Sequence, residues 1–248
     1  MIDIIAYRDH VTANPTLALL KTMFRWAAGR DLIEVDSSAY VEKPLPEPKR
    51  DRVLSDNELV RVWNAAGELG NYGAAVRLLI LTGARPAEIF GLCWAEIDLE
   101  GEVIYLSTVP NTVNEPRIIP LSPMAVELLR GLAPGAPDAH LFDCGNREIF
   151  SGMSYGKTRL DRAVGGSVAD WRMYDLRRTV ATGLQQLGVR LEVTEAILGH
   201  IAGSRAGIAG IYQQHKLVAE ARAALLGWSD HVIKLLGGEP AKVVQLRA

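Results

Sequence analysis

Tyr174-Asp175-Leu176-Arg177-Arg178, followed by Leu198-Gly199-His200 and then Ile211-Tyr212, is the stretch on which the reading of this chain turns. An arginine, a histidine and a tyrosine follow one another at the spacing of successive helices. Far upstream, Thr82-Gly83-Ala84-Arg85-Pro86-Ala87-Glu88-Ile89 offers a second arginine at a helix start. Two guanidiniums, each a planar fork of permanently charged donors, suit the oxygens of a phosphate. A tyrosine beside them is a candidate nucleophile. Its hydroxyl has an unperturbed pKa of about 10 and ionises more easily among cations.

Working outward, residues 14–30 carry an apolar stripe (Leu17, Leu20, Phe24, Ala27) near helical spacing, with Asn14-Pro15 as the start. Pro44, Pro46 and Pro48 among charges make an extended linker. Ser55 and Glu58 form a capping box, which predicts a helix to about Ala66. A second helix is predicted over 72–81 and stopped by Thr82-Gly83; Pro86 opens a third that ends near Cys93. Between 94 and 121, Ile97, Leu99, Val103, Tyr105, Ile118 and Leu121 alternate or cluster as short strands, with Glu100-Gly101 as a turn. Helices are predicted again over 122–132, 154–164, 175–187, 191–198 and 216–236. The fold class is mainly α with a small three-stranded antiparallel sheet.

The 248 residues, 48% hydrophobic, suffice for a substantial core. No long apolar run predicts a transmembrane helix, and Met1–His10 lacks the pattern of a secretory signal. Two cysteines, Cys93 and Cys144, without metal-ligand spacing, fit reduced thiols and a cytoplasmic protein. The formal net charge of −2 makes any nucleic-acid contact a matter of local patches. Lys157, Arg159, Arg162, Arg172, Arg177 and Arg178 form one such run, against Asp161, Asp170 and Asp175; a basic DNA-binding strip and a solvated helix face both fit it.

Leu81-Thr82-Gly83-Ala84-Arg85, Asp175-Leu176-Arg177 and Leu198-Gly199-His200 with Tyr212 together resemble the active-site motifs of tyrosine recombinases, the phage-integrase family. The glycine-rich insertion Gly203–Gly207 is similar to that of a bacterial prophage branch. The resemblance implies the recombinase catalytic-domain fold, Arg85, Arg177 and His200 as phosphate ligands, and Tyr212 as the nucleophile. On its own, His200 also fits a helix C-terminal histidine beside Gly199. The implied reaction is site-specific cutting and rejoining of DNA through a 3′-phosphotyrosyl link, without metal or other cofactor. Double-stranded DNA of the attachment-site type is the implied partner, bound by a homo-oligomer with no membrane involved.

Two positions depart from the family. Where it has a histidine three residues before the second arginine, this chain has Tyr174; where it has a lysine in the strand hairpin, this chain has Thr112. Arg117 is the nearest cation in the hairpin, and a guanidinium is a poor proton donor. These departures, with only about fifty residues before the capping box, leave a second reading open: a catalytically decayed homologue that binds DNA or regulates. The expected divisions are 1–44, a remnant of a helical core-binding domain; 45–54, a linker; 55–215, the catalytic domain; and 216–248, a C-terminal helix and tail. The apolar stripe of that helix (Leu217, Ala221, Leu225, Trp228, Val232) fits docking on a neighbouring protomer or packing on its own domain.

Overall fold

The computed structural model describes residues 10–43, 50–106, 117–142, 153–199 and 217–239. The chain divides into two compact units, Met1–Asp51 and Arg52–Ala248.

The first unit holds one long helix, α1 (His10–Ala28). It begins earlier than the Asn14-Pro15 signal suggests, so Pro15 lies in its second turn and forfeits one ladder bond near the start of the helix. Ala13 and Leu17 are buried, whereas Leu19, Met23 and Trp26 are exposed. The Arg30 guanidinium lies over the Trp26 ring at 4.6 Å.

In the second unit, α2 (Asp56–Ala66) starts at the predicted capping box: the Glu58 carboxylate accepts from the Ser55 backbone N–H at 2.9 Å, and Ser55 Oγ accepts from the Glu58 backbone N–H. The core is built around α3 (Gly70–Thr82). From Ala74 to Thr82 every residue except Arg77 is buried, so this helix is apolar all round, as a central helix must be. Gly83 ends it in the left-handed region, φ 64°, where a Cβ would be strained. Pro86 opens α4 (Pro86–Phe90), and a short 3₁₀ turn spans Trp94–Glu96.

The sheet is antiparallel in the order β1 (Ile97–Asp98), β2 (Val103–Leu106), β3 (Arg117–Pro120). Ile97 faces Ile104, and Leu106 faces Arg117. Leu99 and Leu121, counted among the strand residues from sequence, lie just outside the strands; Asp98 Oδ1 accepts from the Glu100 and Gly101 N–H groups and turns the chain there. The remaining helices are α5 (Pro123–Arg130), α6 (Met153–Val164), α7 (Met173–Gln186), α8 (Leu191–Leu198) and α9 (Val218–Leu235).

The C-terminal helix α9 packs on β3, α8, α7 and α3 of its own unit. Ala221, Leu225, Trp228 and Val232 are buried, so of the two arrangements that the sequence left open for this stripe, the chain shows packing on its own domain. Gly183 on α7 makes this possible: a Cβ there would stand 2.1 Å from the Trp228 ring. At the other end of the sheet, Arg222 on α9 donates to the Gly101 carbonyl at 3.0 Å and pairs with Glu102 at 3.1 Å.

Candidate active site

The first arginine is aimed by the break between α3 and α4. Thr82 Oγ1 donates to the Leu78 carbonyl at 2.7 Å and accepts from the Ala84 N–H at 3.3 Å, so the chain leaves α3 along a fixed path. Arg85 is then the N-cap of α4, with φ −74° and ψ 144°. Three residues on, Glu88 accepts from the Arg85 backbone N–H at 2.7 Å and from its Nη1 at 2.9 Å.

The second arginine comes from the middle of α7. Arg177 is buried, with Nη1 donating to the Gly83 carbonyl at 3.0 Å and Nη2 to the Leu198 carbonyl. Helix α7 is itself anchored by Asp175, which is fully buried and accepts from the Arg172 N–H at 2.7 Å. Thr179 ties it to the start of the unit by accepting from the Leu54 N–H at 2.9 Å.

A third guanidinium joins them. Arg117, the first residue of β3, donates Nη2 to Glu88 at 2.6 Å and Nη1 to the Ile197 carbonyl. Glu88 is thus a buried carboxylate shared by Arg85 and Arg117. With Arg85 Nη2 donating to the Gly199 carbonyl at 3.1 Å, the three arginines take three consecutive carbonyls, Ile197, Leu198 and Gly199. These are the unpaired acceptors at the negative end of α8, so the cationic cluster and the helix dipole support each other.

Three guanidiniums against one carboxylate leave the pocket positive. Burial, reinforced by the Arg85 and Arg117 charges, pulls Arg177 down to about 10, with Glu88 and Tyr174 opposing; it remains charged at neutral pH. Burial also lowers Arg117, Arg85 adding to the effect and Glu88 resisting it. For Glu88, burial pushes the carboxyl up. The Arg117 charge, the two hydrogen bonds from Arg85 and the Arg85 charge outweigh it and hold Glu88 below its ordinary value.

Of the residues singled out from sequence, Arg85 and Arg177 are brought together. Tyr174 sits one turn before Arg177 on α7 and is half-exposed. His200, Tyr212 and Thr112 lie outside the described residues. The basic strip is uneven. Arg159 and Arg162 are exposed on one face of α6, and Arg172 and Arg178 are exposed on α7 or at its start, Arg178 lying 3.5 Å from Asp175. Lys157 is instead engaged internally, paired with Asp161 and seated 4.0 Å over the Trp171 ring. Among the described residues no cluster of His, Cys, Asp and Glu is placed to hold a metal. Cys93 Sγ lies 3.3 Å from His140 Nδ1, and its thiol is pushed up by burial and by the nearby Glu96 and Asp138 charges.

Two members of the cluster were not assigned to it from sequence, where Arg117 was noted only as the nearest cation in the hairpin. Glu88 had a local signal: it is the third residue of a helix opened by Pro86, the position from which a carboxylate reaches back to the N-cap. Arg117 had none, because its partners are 29 and 80 residues away.

Comparison with known proteins places the sequence and the fold. The model of the phage integrase family matches residues 52–216. Tyrosine recombinase XerD of Mycobacterium tuberculosis (strain ATCC 25618 / H37Rv) is 26% identical over 226 residues, covering 84% of this chain and 71% of that protein. Prophage integrase IntZ of Escherichia coli K12 is 27% identical over 222 residues, covering 87% of this chain and 54% of that protein. Among solved structures, the Tn1549 transposon integrase in complex with circular intermediate DNA superposes with a TM-score of 0.61 at 20% identity, over 82% of this chain and 76% of that one. A lambda integrase tetramer bound to a Holliday junction gives 0.60 at 20% identity, over 81% of this chain and 62% of that one. The fold is that of the tyrosine recombinase catalytic domain, and the family match extends over more than half of the sequence: this chain belongs to the phage integrase family.

Proposed function

We propose that the protein is a site-specific DNA recombinase that cuts and rejoins double-stranded DNA through Tyr212. One observation carries the reading. Arg85 and Arg177, 92 positions apart in sequence, meet on the carbonyls of Leu198 and Gly199, immediately before His200. Each guanidinium has five donors, so the described contacts leave donors for phosphate oxygens. Fixed positive charge in a partly dry pocket stabilises the crowded, doubly charged phosphorus of the transition state without reorganising at the moment of reaction.

In this reading the Tyr212 oxygen attacks phosphorus and loses its proton, with His200 sharing in the transfer. The bond to the 5′ oxygen breaks, and the leaving oxygen takes up a proton to become a hydroxyl. A 5′-hydroxyl of a partner strand reverses the step. Bond energy is kept in the phosphotyrosyl ester, so the reaction needs no metal or nucleotide cofactor. Tyr174, on the same face of α7 as Arg177, offers a hydrogen bond where the family has a histidine. Arg159, Arg162, Arg172 and Arg178 provide the backbone-binding strip, while Lys157, held by Asp161 and the Trp171 ring, adds less. Assembly as an oligomer on an attachment-type site follows the named lambda integrase tetramer, and residues 1–44 serve as part of the DNA clamp.

A nicked suicide substrate carrying the element's end sequence tests this. Wild-type protein forms a covalent adduct on a denaturing gel, and Tyr212→Phe abolishes it while leaving DNA binding nearly intact. Adduct that persists in the phenylalanine variant overturns the assignment of the nucleophile. Specific DNA binding with no adduct from wild-type protein supports instead the DNA-binding homologue without chemistry, which the replacement of a family histidine by Tyr174 favours.

A further inference from the structure

We infer that Arg117 is a positioning residue for the active site, tying the sheet to the turn that leads into His200. The inference rests on the strand-transfer reading above. Arg117 does three things at once. Its Nη2 holds Glu88, which in turn holds Arg85. Its Nη1 holds the Ile197 carbonyl at the end of α8. Its side chain also lies against Gly199: a Cβ on Gly199 would stand 2.9 Å from both Cδ and Nε of Arg117. Gly199 therefore has two reasons to be glycine, its left-handed φ of 62° and the arginine pressed on its Cα.

The energetics separate this role from simple stabilisation. Replacing a buried ion pair whole by apolar groups is often neutral, whereas removing one partner alone destabilises to the extent that the other charge is left unpaired. Removing Arg117 does not orphan Glu88, which keeps both hydrogen bonds from Arg85. What is lost is the fixed relation between β3, α4 and the last carbonyls of α8. Misplacing catalytic groups by about 1 Å can slow chemistry by about a hundredfold. A planar fork serves this purpose better than an ammonium, because it addresses a carboxylate and a carbonyl in set directions.

The test compares Arg117→Met and Arg117→Lys with wild type in three measurements: thermal unfolding, DNA affinity with first-order adduct formation on saturating suicide DNA, and hydrogen exchange of DNA-free protein over residues 191–199. Arg117→Met is expected to fold cooperatively with a lowered melting temperature, to keep the wild-type DNA affinity, to form adduct about 10–100-fold more slowly, and to exchange faster at 196–199. Arg117→Lys is expected to recover only part of the rate. A wild-type adduct rate in Arg117→Met, full recovery with lysine, or loss of cooperative folding in the methionine variant would each overturn the inference. If wild-type protein forms no adduct, the strand-transfer reading fails separately. The exchange measurement then decides: faster exchange at 196–199 upholds the tether, and unchanged exchange overturns it.

Discussion

Trp228 on α9 donates its indole N–H to the backbone carbonyl of Ile80 on α3 at 2.7 Å, both residues being buried. Ile80 lies in the last turn of α3, where carbonyls lack helical partners; the Ala84 N–H that would reach it goes to Thr82 Oγ1 instead. The C-terminal helix thus caps the central helix as well as covering it.

Truncation after Gln214 is accordingly expected to abolish the cooperative urea transition of the second unit, because it uncovers the faces of α3, α7 and β3. Trp228→Phe keeps most of the apolar contact but strands a buried carbonyl, at a cost of about 1–3 kcal/mol. A truncated protein that still unfolds cooperatively would show that α9 acts mainly on another protomer.

Glu88 makes stability pH-dependent in a definite direction. Its folded pKa lies below the unfolded value of about 4.3. The stabilisation is therefore complete above that value and is lost as pH falls through the folded pKa. Glu88→Gln is expected to destabilise by about 3–5 kcal/mol at neutral pH, as when one partner of a buried pair is removed. The difference from wild type should shrink below pH 4. Parallel urea melts of both proteins across this range check it; a gap that stays constant would contradict the coupling.

In the proposed strand-transfer reading Thr112 takes the place of the family's lysine, and protonation of the leaving 5′ oxygen then lacks a dedicated donor. Thr112→Lys is expected to raise the cleavage rate, general acid catalysis typically contributing about 10²–10⁴-fold. A 5′-bridging sulfur substrate, whose leaving group needs no proton, should narrow the gap between the two proteins. Equal rates on ordinary DNA would remove this account of slow chemistry.

The cations of the strip should not contribute equally to DNA binding. Each phosphate neutralised adds about −0.9 to the log–log salt slope. Arg159→Gln and Arg162→Gln, on exposed side chains, are expected each to flatten that slope by about one. Lys157→Gln should alter it less, since the ammonium is already held by Asp161 and the Trp171 face, and should instead lower thermal stability. Fluorescence anisotropy over a salt series distinguishes the two patterns.

Much of this protein was legible in its sequence because the signals are local. Ser55 and Glu58 cap α2 from three residues apart, Gly83 stops α3 because only glycine enters the left-handed region cheaply, and Pro86 opens α4 where its missing N–H is harmless. The words around Arg85 and Arg177, with Leu198-Gly199-His200 and Tyr212, were enough to suggest the family, and the structure then brought the two arginine side chains to neighbouring carbonyls. Periodicity also showed that α9 has a buried face. Periodicity states that a face must be covered and is silent on what covers it; the fit of Trp228 over Gly183 decided that. Arg117 and Glu88 illustrate the same limit: a charge in a strand and a charge at a helix start are ordinary apart, and only the packing of β3 beside α4 and the end of α8 makes them one ion pair. Sequence fixes which groups a segment can offer, while their meeting depends on long-range packing that no local pattern encodes.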